Sequence, residues 1–410
     1  MSSIIGSSII GGASLLKEIN RNVILNEIRI NGPLSRADLV TATGLRFPTV
    51  IRIVDALAEE KIVQEIGKGE TASGRKPIML AINPEAAYIV GVVVGYSMIV
   101  ILTDFLGNIV DEYIENSELQ AGPECVADMS YELVKSILVK NNLNFDDIAG
   151  IGIATPGMDF KTSIGCEDPM TLACWHSADT AEIFYKKFKG SLVKIGMLPV
   201  CGAIGEQWFG KTKNSKNNIY VYADKGVGAG VIVDGKIYLG KDGFAGHIGH
   251  ATIDMNGPLC YCGNNGCLET FTSSIYIVSK VREKIAEGAL SSLNEMIKGD
   301  ISKIKFSSIV TAAQKGDQVC REVLNNAGRA LGIGLANAIN SFNPDTIVFG
   351  GEVCWSCPIL VETAKEVARK NIFSNRAREV EMLVSDLSFR SEAKGAVALI
   401  MNEVFRSPNL

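Results

Sequence analysis

Histidine is scarce in this chain, three in 410 residues, and so are tryptophan (3) and proline (12). With so little proline, 41 glycines and 47% hydrophobic residues, collagen-like, coiled-coil and wholly disordered chains are excluded. No charge sign dominates: 40 Lys+Arg stand against 45 Asp+Glu, a net charge of −5. No strong field therefore recruits nucleic acid to the molecule as a whole. A basic n-region is also lacking, since the first positive charge is Lys17. Without a secretory signal, the ten cysteines are expected to be reduced and the chain to work in the cytoplasm.

No hydrophobic run reads as a membrane span either. Residues 86–103 are 18 positions without a charge, but they are crowded with Val and Ile and broken at Gly95-Tyr96-Ser97. They read as two buried strands around a turn, with a third strand after the turn at Leu106-Gly107. What is present is uneven. Residues 1–82 carry 10 basic and 8 acidic side chains and the remainder 30 and 37, a mildly basic head on an acidic body. The length allows two to four domains at about 100–200 residues each. The first residues repeat one unit, Ser2-Ser3-Ile4-Ile5-Gly6 then Ser7-Ser8-Ile9-Ile10-Gly11, too short for a solenoid. Residues 1–13 are expected to be a flexible arm.

Residues 15–30 place Ile19, Val23, Ile24 and Ile28 on one helix face, and Asn31-Gly32-Pro33 ends that helix. Ser35-Arg36-Ala37-Asp38 starts a second helix, with Ser35 as N-cap and Asp38 three residues on. A turn at Thr43-Gly44-Leu45 leads to a third helix over about residues 47–60, which makes a helix-turn-helix pattern. The third helix is expected to enter a major groove, offering Arg46, Phe47, Thr49, Ile51 and Arg52, with Ser35 and Arg36 also on the DNA-binding face. Strands at 62–64 and 79–82 flank a polar wing, 67–77, tipped by Gly74-Arg75-Lys76-Pro77. Gly74 permits close approach to a sugar–phosphate wall, and Arg75 suits a narrow minor groove. The alternative is a helical hairpin whose basic residues only stay solvated; the order helix, helix, helix, strand, wing, strand favours DNA.

From Ala87 onward strands, helices and Gly-rich turns alternate. A strand at 148–155 ends at Pro156-Gly157; a strand at 218–222 runs into Gly226-Val227-Gly228-Ala229-Gly230; a strand at 345–349 ends at Gly350-Gly351. Such turns are where phosphates can meet bare backbone, although glycine also serves plain turns. The strongest chemical cluster is Cys260-Tyr261-Cys262-Gly263-Asn264-Asn265-Gly266-Cys267, with His250 ten residues before it. His250, Cys260, Cys262 and Cys267 form a closed tetrahedral donor set suited to structural zinc, against the alternative of reduced buried cysteines.

These motifs together resemble the ROK family of repressors, open reading frames and sugar kinases. The resemblance runs from about residue 15 to 404 and rests on Ser35-Arg36-Ala37-Asp38-Leu39, the Gly74-Arg75-Lys76-Pro77 wing, residues 224–235, Gly249-His250, the cysteine knuckle with Leu268-Glu269, and Asn343-Pro344. It implies an α/β chain: an N-terminal winged helix-turn-helix at 14–84, then an actin-like, duplicated (ribonuclease H-like) two-lobed body. The small lobe would take 85–200 and about 385–410; the large lobe, 201–384, would carry the knuckle and a dimerisation surface. It also implies a sugar or sugar-phosphate effector near Trp175, His247, His250 and Glu269, operator DNA as partner, and a homodimer or homotetramer.

Departures from the kinase pattern set the expected function. Family kinases open the body with Asp-x-Gly-Gly-Thr, and here the turn is Val93-Val94-Gly95-Tyr96-Ser97. Their Asn-Asp pair, whose Asp is general base, falls on Met197 and Leu198, and leucine accepts no proton. The Gly-Thr-Gly phosphate loop is replaced by Asp224-Lys225-Gly226, and the Glu of Glu-x-Gly-His by His247. No catalytic residue is assigned. The expectation is a sequence-specific DNA-binding regulator, a repressor of carbohydrate metabolism, whose body senses an effector and dimerises; the alternative is a bifunctional sugar kinase.

Overall fold

The computed structural model describes residues 12–70, 76–95, 97–117, 119–156 and 179–405. The repeated arm, Gly74, Arg75, Tyr96 and Trp175 lie outside the described residues. The head is α1 (Gly12–Asn31), β1 (Leu34–Ser35), α2 (Arg36–Thr43), α3 (Phe47–Glu59), β2 (Val63–Lys68) and β3 (Ile78–Ile82). On α3, Val50, Ile53, Val54 and Leu57 recur at helical spacing and are all buried, facing Ile24, Leu25 and Ile28 of α1. The three short strands form one sheet in the order β1-β3-β2, with a bulge between Glu65 and Gly67. The strand before the wing is longer than the sequence suggested, because ladder bonds continue past Gln64 to Lys68.

The body contains two five-stranded sheets of the same design. The first is built from β4 (Tyr88–Val93), β5 (Ser97–Thr103), β6 (Ile109–Asn116), β7 (Ile148–Thr155) and β8 (Val193–Met197), in the order β6-β5-β4-β7-β8. The second uses β9 (Asn218–Ala223), β10 (Val227–Val233), β11 (Lys236–Ile237), β12 (Thr346–Gly350) and β13 (Glu381–Val384), in the order β11-β10-β9-β12-β13. Each lobe thus runs a three-strand antiparallel meander whose first strand pairs in parallel with the fourth. The charge-free stretch that raised the membrane question is β4 and β5. Among the described residues no helix is long and apolar enough to cross a membrane.

The helices that cover these sheets include α4 (Pro123–Lys140), α5 (Leu198–Phe209), α6 (Ser274–Ala286), α7 (Gln318–Phe342), α8 (Pro358–Asn371) and α9 (Ser391–Phe405). Residues along β9 alternate between faces: Ile219, Val221 and Ala223 join the core under α6, α7 and α8, whereas Tyr220 turns to the other side with Ala203 of α5. Helix α9 lies on β4, β7 and β8 of the small lobe, and α5 on β9 and β10 of the large lobe. The two helices also pack on each other. A Cβ at Gly395 would sit 1.6 Å from the carbonyl oxygen of Cys201, so only glycine allows the backbones to meet there. The head core runs without a break into Phe105, Val397, Met401, Val404 and Phe405 of the body.

Candidate functional site

The sequence expectations for the head are met at its helix starts. Ser35 Oγ accepts the Asp38 amide at 3.2 Å and the Asp38 carboxylate accepts the Ser35 amide at 2.9 Å, a reciprocal cap that fixes the first turn of α2. Gly44 closes that helix at φ 67° and aims the chain into α3. Arg46 sits at the N-cap of α3 in extended backbone without a side-chain cap bond, so its guanidinium is free to reach outward. Arg46, Phe47 and Arg52 are exposed, while Thr49 and Ile51 are half-buried. Arg36 is half-buried at the surface of the head, 2.9 Å from Asp55 and 3.4 Å from Glu65. Lys76 is exposed at the base of the wing.

The cysteine knuckle brings its four residues together. The donor atoms of His250, Cys260, Cys262 and Cys267 all lie within 4.8 Å of one another. Cys262 and Cys267 sulfurs are 3.6 Å apart, and the Cys260 sulfur is 3.7 Å from His250 Nδ1. Gly266, at φ 65°, makes this turn: a Cβ there would lie 1.6 Å from the Asp254 carbonyl oxygen. Burial pushes the Cys267 thiol up to about 11 and raises Cys260 as well; burial, then the nearby His247, lowers His250. Neutral thiols of that kind become ligands when an ion displaces their protons. His250 Nε2, the nitrogen turned away from the sulfurs, meets the Tyr261 hydroxyl at 3.1 Å.

The remaining candidates are less closely gathered. The rings of His247 and His250 have centroids 6.4 Å apart, with His247 exposed and its Nδ1 2.8 Å from the Phe244 carbonyl oxygen. Glu269 is buried and accepts the Val227 amide at 2.7 Å, so it braces the glycine turn after β9. In that turn Tyr222 donates to Asp224 at 3.2 Å; burial raises the Asp224 carboxyl, and burial followed by Asp224 raises Glu352. Leu198 is buried at the start of α5. About two turns further, Glu206 is fully buried and accepts from Ser385 and, at 3.3 Å, from Ser391.

Residues 92–403 match the ROK family. The chain belongs to the ROK family. The xylose repressor of Caldicellulosiruptor bescii is 31% identical over 399 residues, covering 97% of this chain and 99% of the relative. The fold of a ROK family transcriptional regulator, a homologue of the E. coli MLC protein, superposes with a TM-score of 0.78 at 24% identity, over 96% of this chain and 98% of that one. A ROK family glucokinase from Streptomyces griseus, in complex with glucose and AMPPNP, matches with a TM-score of 0.66 at 21% identity. It covers 76% of this chain and 99% of its own. The two-lobed α/β body and the winged head of the sequence analysis are therefore the fold of this ROK protein.

Three features escaped the sequence analysis. Tyr261 stands between two knuckle cysteines, and an aromatic hydroxyl inside a ligand motif was a usable signal. The Tyr220–Glu392 pair joins residues 172 positions apart, which no spacing rule links. The packing of Arg29 against Trp208 and Phe405 is equally remote in sequence.

Proposed function

We propose that this ROK protein is a DNA-binding, sugar-responsive transcriptional repressor whose body senses rather than phosphorylates its sugar. The observation that carries the proposal is the union of a capped helix-turn-helix, Arg46 outward at the head of α3, with a kinase-type body that has Leu198 in place of a base. The turn that would face nucleotide phosphates is Asp224-Lys225-Gly226, without the threonine hydroxyl of the kinase loop. Full-length similarity to a protein named for xylose repression supports a pentose or related sugar as effector.

In this proposal residues 14–84 read operator DNA through Ser35, Arg36, Arg46, Phe47, Thr49, Ile51 and Arg52, with Gly74, Arg75 and Lys76 at the wing. The small lobe takes 85–200 and 385–410, the large lobe 201–384, and a homodimer or homotetramer in the cytoplasm presents the heads in pairs. Trp175, His247, His250 and Glu269 border the effector. His250, Cys260, Cys262 and Cys267 hold structural zinc. Bond lengths of about 2.3 Å to sulfur and 2.0–2.1 Å to nitrogen give tetrahedral edges of about 3.6–3.8 Å, and the observed 3.6 and 3.7 Å separations fit them. Zinc there would serve only to cross-link the loop, and Tyr261 would orient His250 through its second nitrogen.

The test is duplex selection with the full-length protein, followed by titration of the bound complex with D-xylose and a panel of other sugars, beside an ATP-coupled sugar phosphorylation assay. Sequence enrichment, release by one sugar and no sugar phosphate are expected. Phosphate transfer at rates typical of a kinase would overturn the sensing role and favour a bifunctional enzyme.

A further inference from the structure

Head and body are locked together by a cation seated on two rings. The Arg29 guanidinium, in the last turn of α1, lies 4.3 Å from the centre of the Trp208 ring on α5 and 5.4 Å from that of Phe405 on α9. Asn26 accepts its Nε and Nη2 at 3.3 Å each, and no carboxylate pairs with it among the described residues. Asn26 in turn donates to the Phe405 carbonyl oxygen at 2.6 Å, and Trp208 Nε1 donates to Asn402 at 3.1 Å. Half-burying a guanidinium costs solvation, which burial records by lowering its pKa. Aromatic faces return part of that cost only while both rings stay in place.

The two rings stand on different helices, with their centroids 6.2 Å apart. Trp208 ends the helix that packs on the large lobe, and Phe405 ends the helix that lies on the small lobe. The helices approach backbone to backbone where Gly395 meets Cys201 and Gly205 meets Ser391, so a rotation of one lobe against the other would turn about that crossing. Such a rotation shifts Trp208 against Phe405, the two supports on which Arg29 rests.

We infer that Arg29 is a positioning residue: held between Trp208 and Phe405, it sets the angle at which the head leaves the body and so the separation of two heads on DNA. The inference rests on the DNA-reading function proposed above. It adds the element through which lobe movement reaches the recognition helix.

The experiment uses full-length wild type, Arg29→Ala, Trp208→Phe and Trp208→Ala. First, hydrogen exchange is followed in α1 and at the end of α9. Arg29→Ala should speed exchange there at least about ten-fold while β9 and β12 stay protected. Second, the half-site selected by wild type is placed in duplexes whose spacers grow one base pair at a time over a helical turn of about 10 bp. Wild type should prefer one spacing. Arg29→Ala and Trp208→Ala should bind that spacing about ten-fold more weakly and the others unchanged, flattening the profile. Trp208→Phe, which keeps an aromatic face, should keep the profile. An unchanged profile in Arg29→Ala, or an equal loss at every spacing, overturns the positioning role. If wild type enriches no duplex, the DNA-reading function fails instead, and unaltered exchange in Arg29→Ala would then remove the joint as well.

Discussion

The Tyr220 hydroxyl donates a 2.7 Å hydrogen bond to Glu392 Oε1, tying the central strand of the large-lobe sheet to the first turn of α9. Both side chains are buried at the crossing of the lobes. Burial pushes the Glu392 carboxyl from its ordinary 4.5 up to about 7; the Tyr220 bond opposes the rise, and Asp224 and Glu206 add to it. A few residues away, Glu206 gathers Ser385 and Ser391. Burial at the lobe crossing thus favours the neutral form of the Glu392 carboxyl.

A pH-dependent stability follows from that shift. The folded state keeps the Glu392 proton to higher pH than the unfolded chain does. Below pH 4.5 both states are protonated and the group costs nothing; the penalty grows between 4.5 and 7 and is complete above 7. Glu392→Gln, which still accepts from Tyr220, should therefore stabilise the protein at pH 8 by about 3 kcal/mol, taking about 1.36 kcal/mol per unit. The gain should vanish at pH 4. Urea unfolding at both values measures it, and equal effects at the two pH values would show Glu392 charged in the folded protein.

The knuckle gives a metal prediction. Cys262→Ser removes one of three sulfurs within 4.8 Å of His250 and should abolish bound zinc, measured by metal analysis of the purified protein. Tyr261→Phe keeps all four donors but frees His250 Nε2, and should weaken zinc retention against a chelator by about ten-fold. The head carries none of these ligands, so its binding to a single half-site should survive both changes. Wild-type zinc content in Cys262→Ser would mean that the knuckle is not the site.

Arg46 offers a choice between helix stability and DNA contact. Its position at the N-cap of α3 lacks a side-chain cap bond, and Arg46→Ser should restore one, raising stability by about 0.5–2 kcal/mol. The same change removes a guanidinium at the mouth of the recognition helix, so preference at one base pair should relax by about 1–3 kcal/mol. Thermal unfolding and duplex selection read the two effects. A variant that gains stability and selects the same operator would place Arg46 away from base edges.

Much of this was legible in sequence because its signals are local. Ser35 and Asp38 sit three apart and cap each other, the unbroken Val- and Ile-rich runs of β4 and β5 betray buried strands, and the knuckle cysteines crowd one turn. The duplicated two-lobed fold came only through family resemblance, and the sheet order had no local signal, since pairings such as β9 with β12 join residues over 120 positions apart. One contact had not been anticipated: the second nitrogen of His250 is engaged by Tyr261, a neighbour supplied by the fold of the knuckle itself. Arg29 carried no local signal, because its two aromatic supports come from distant segments.

Arg36 was expected on the DNA-binding face, and its ion pairs with Asp55 and Glu65 sharpen what that means. Asp55 lies on α3, one turn after Arg52, and its side chain is 52% exposed. A carboxylate at that place repels phosphate and occupies a guanidinium that could otherwise neutralise one. Asp55→Asn should leave stability within about 1 kcal/mol, as is usual for an exposed pair. It should also release Arg36 toward the backbone, steepening the salt dependence of non-specific DNA binding by about 0.9 in log–log slope. Affinity for mismatched duplexes should rise more than affinity for the operator, so selectivity falls. Binding isotherms at several salt concentrations decide the matter: an unchanged slope would place Arg36 away from phosphate, as a strut that holds α2 against α3.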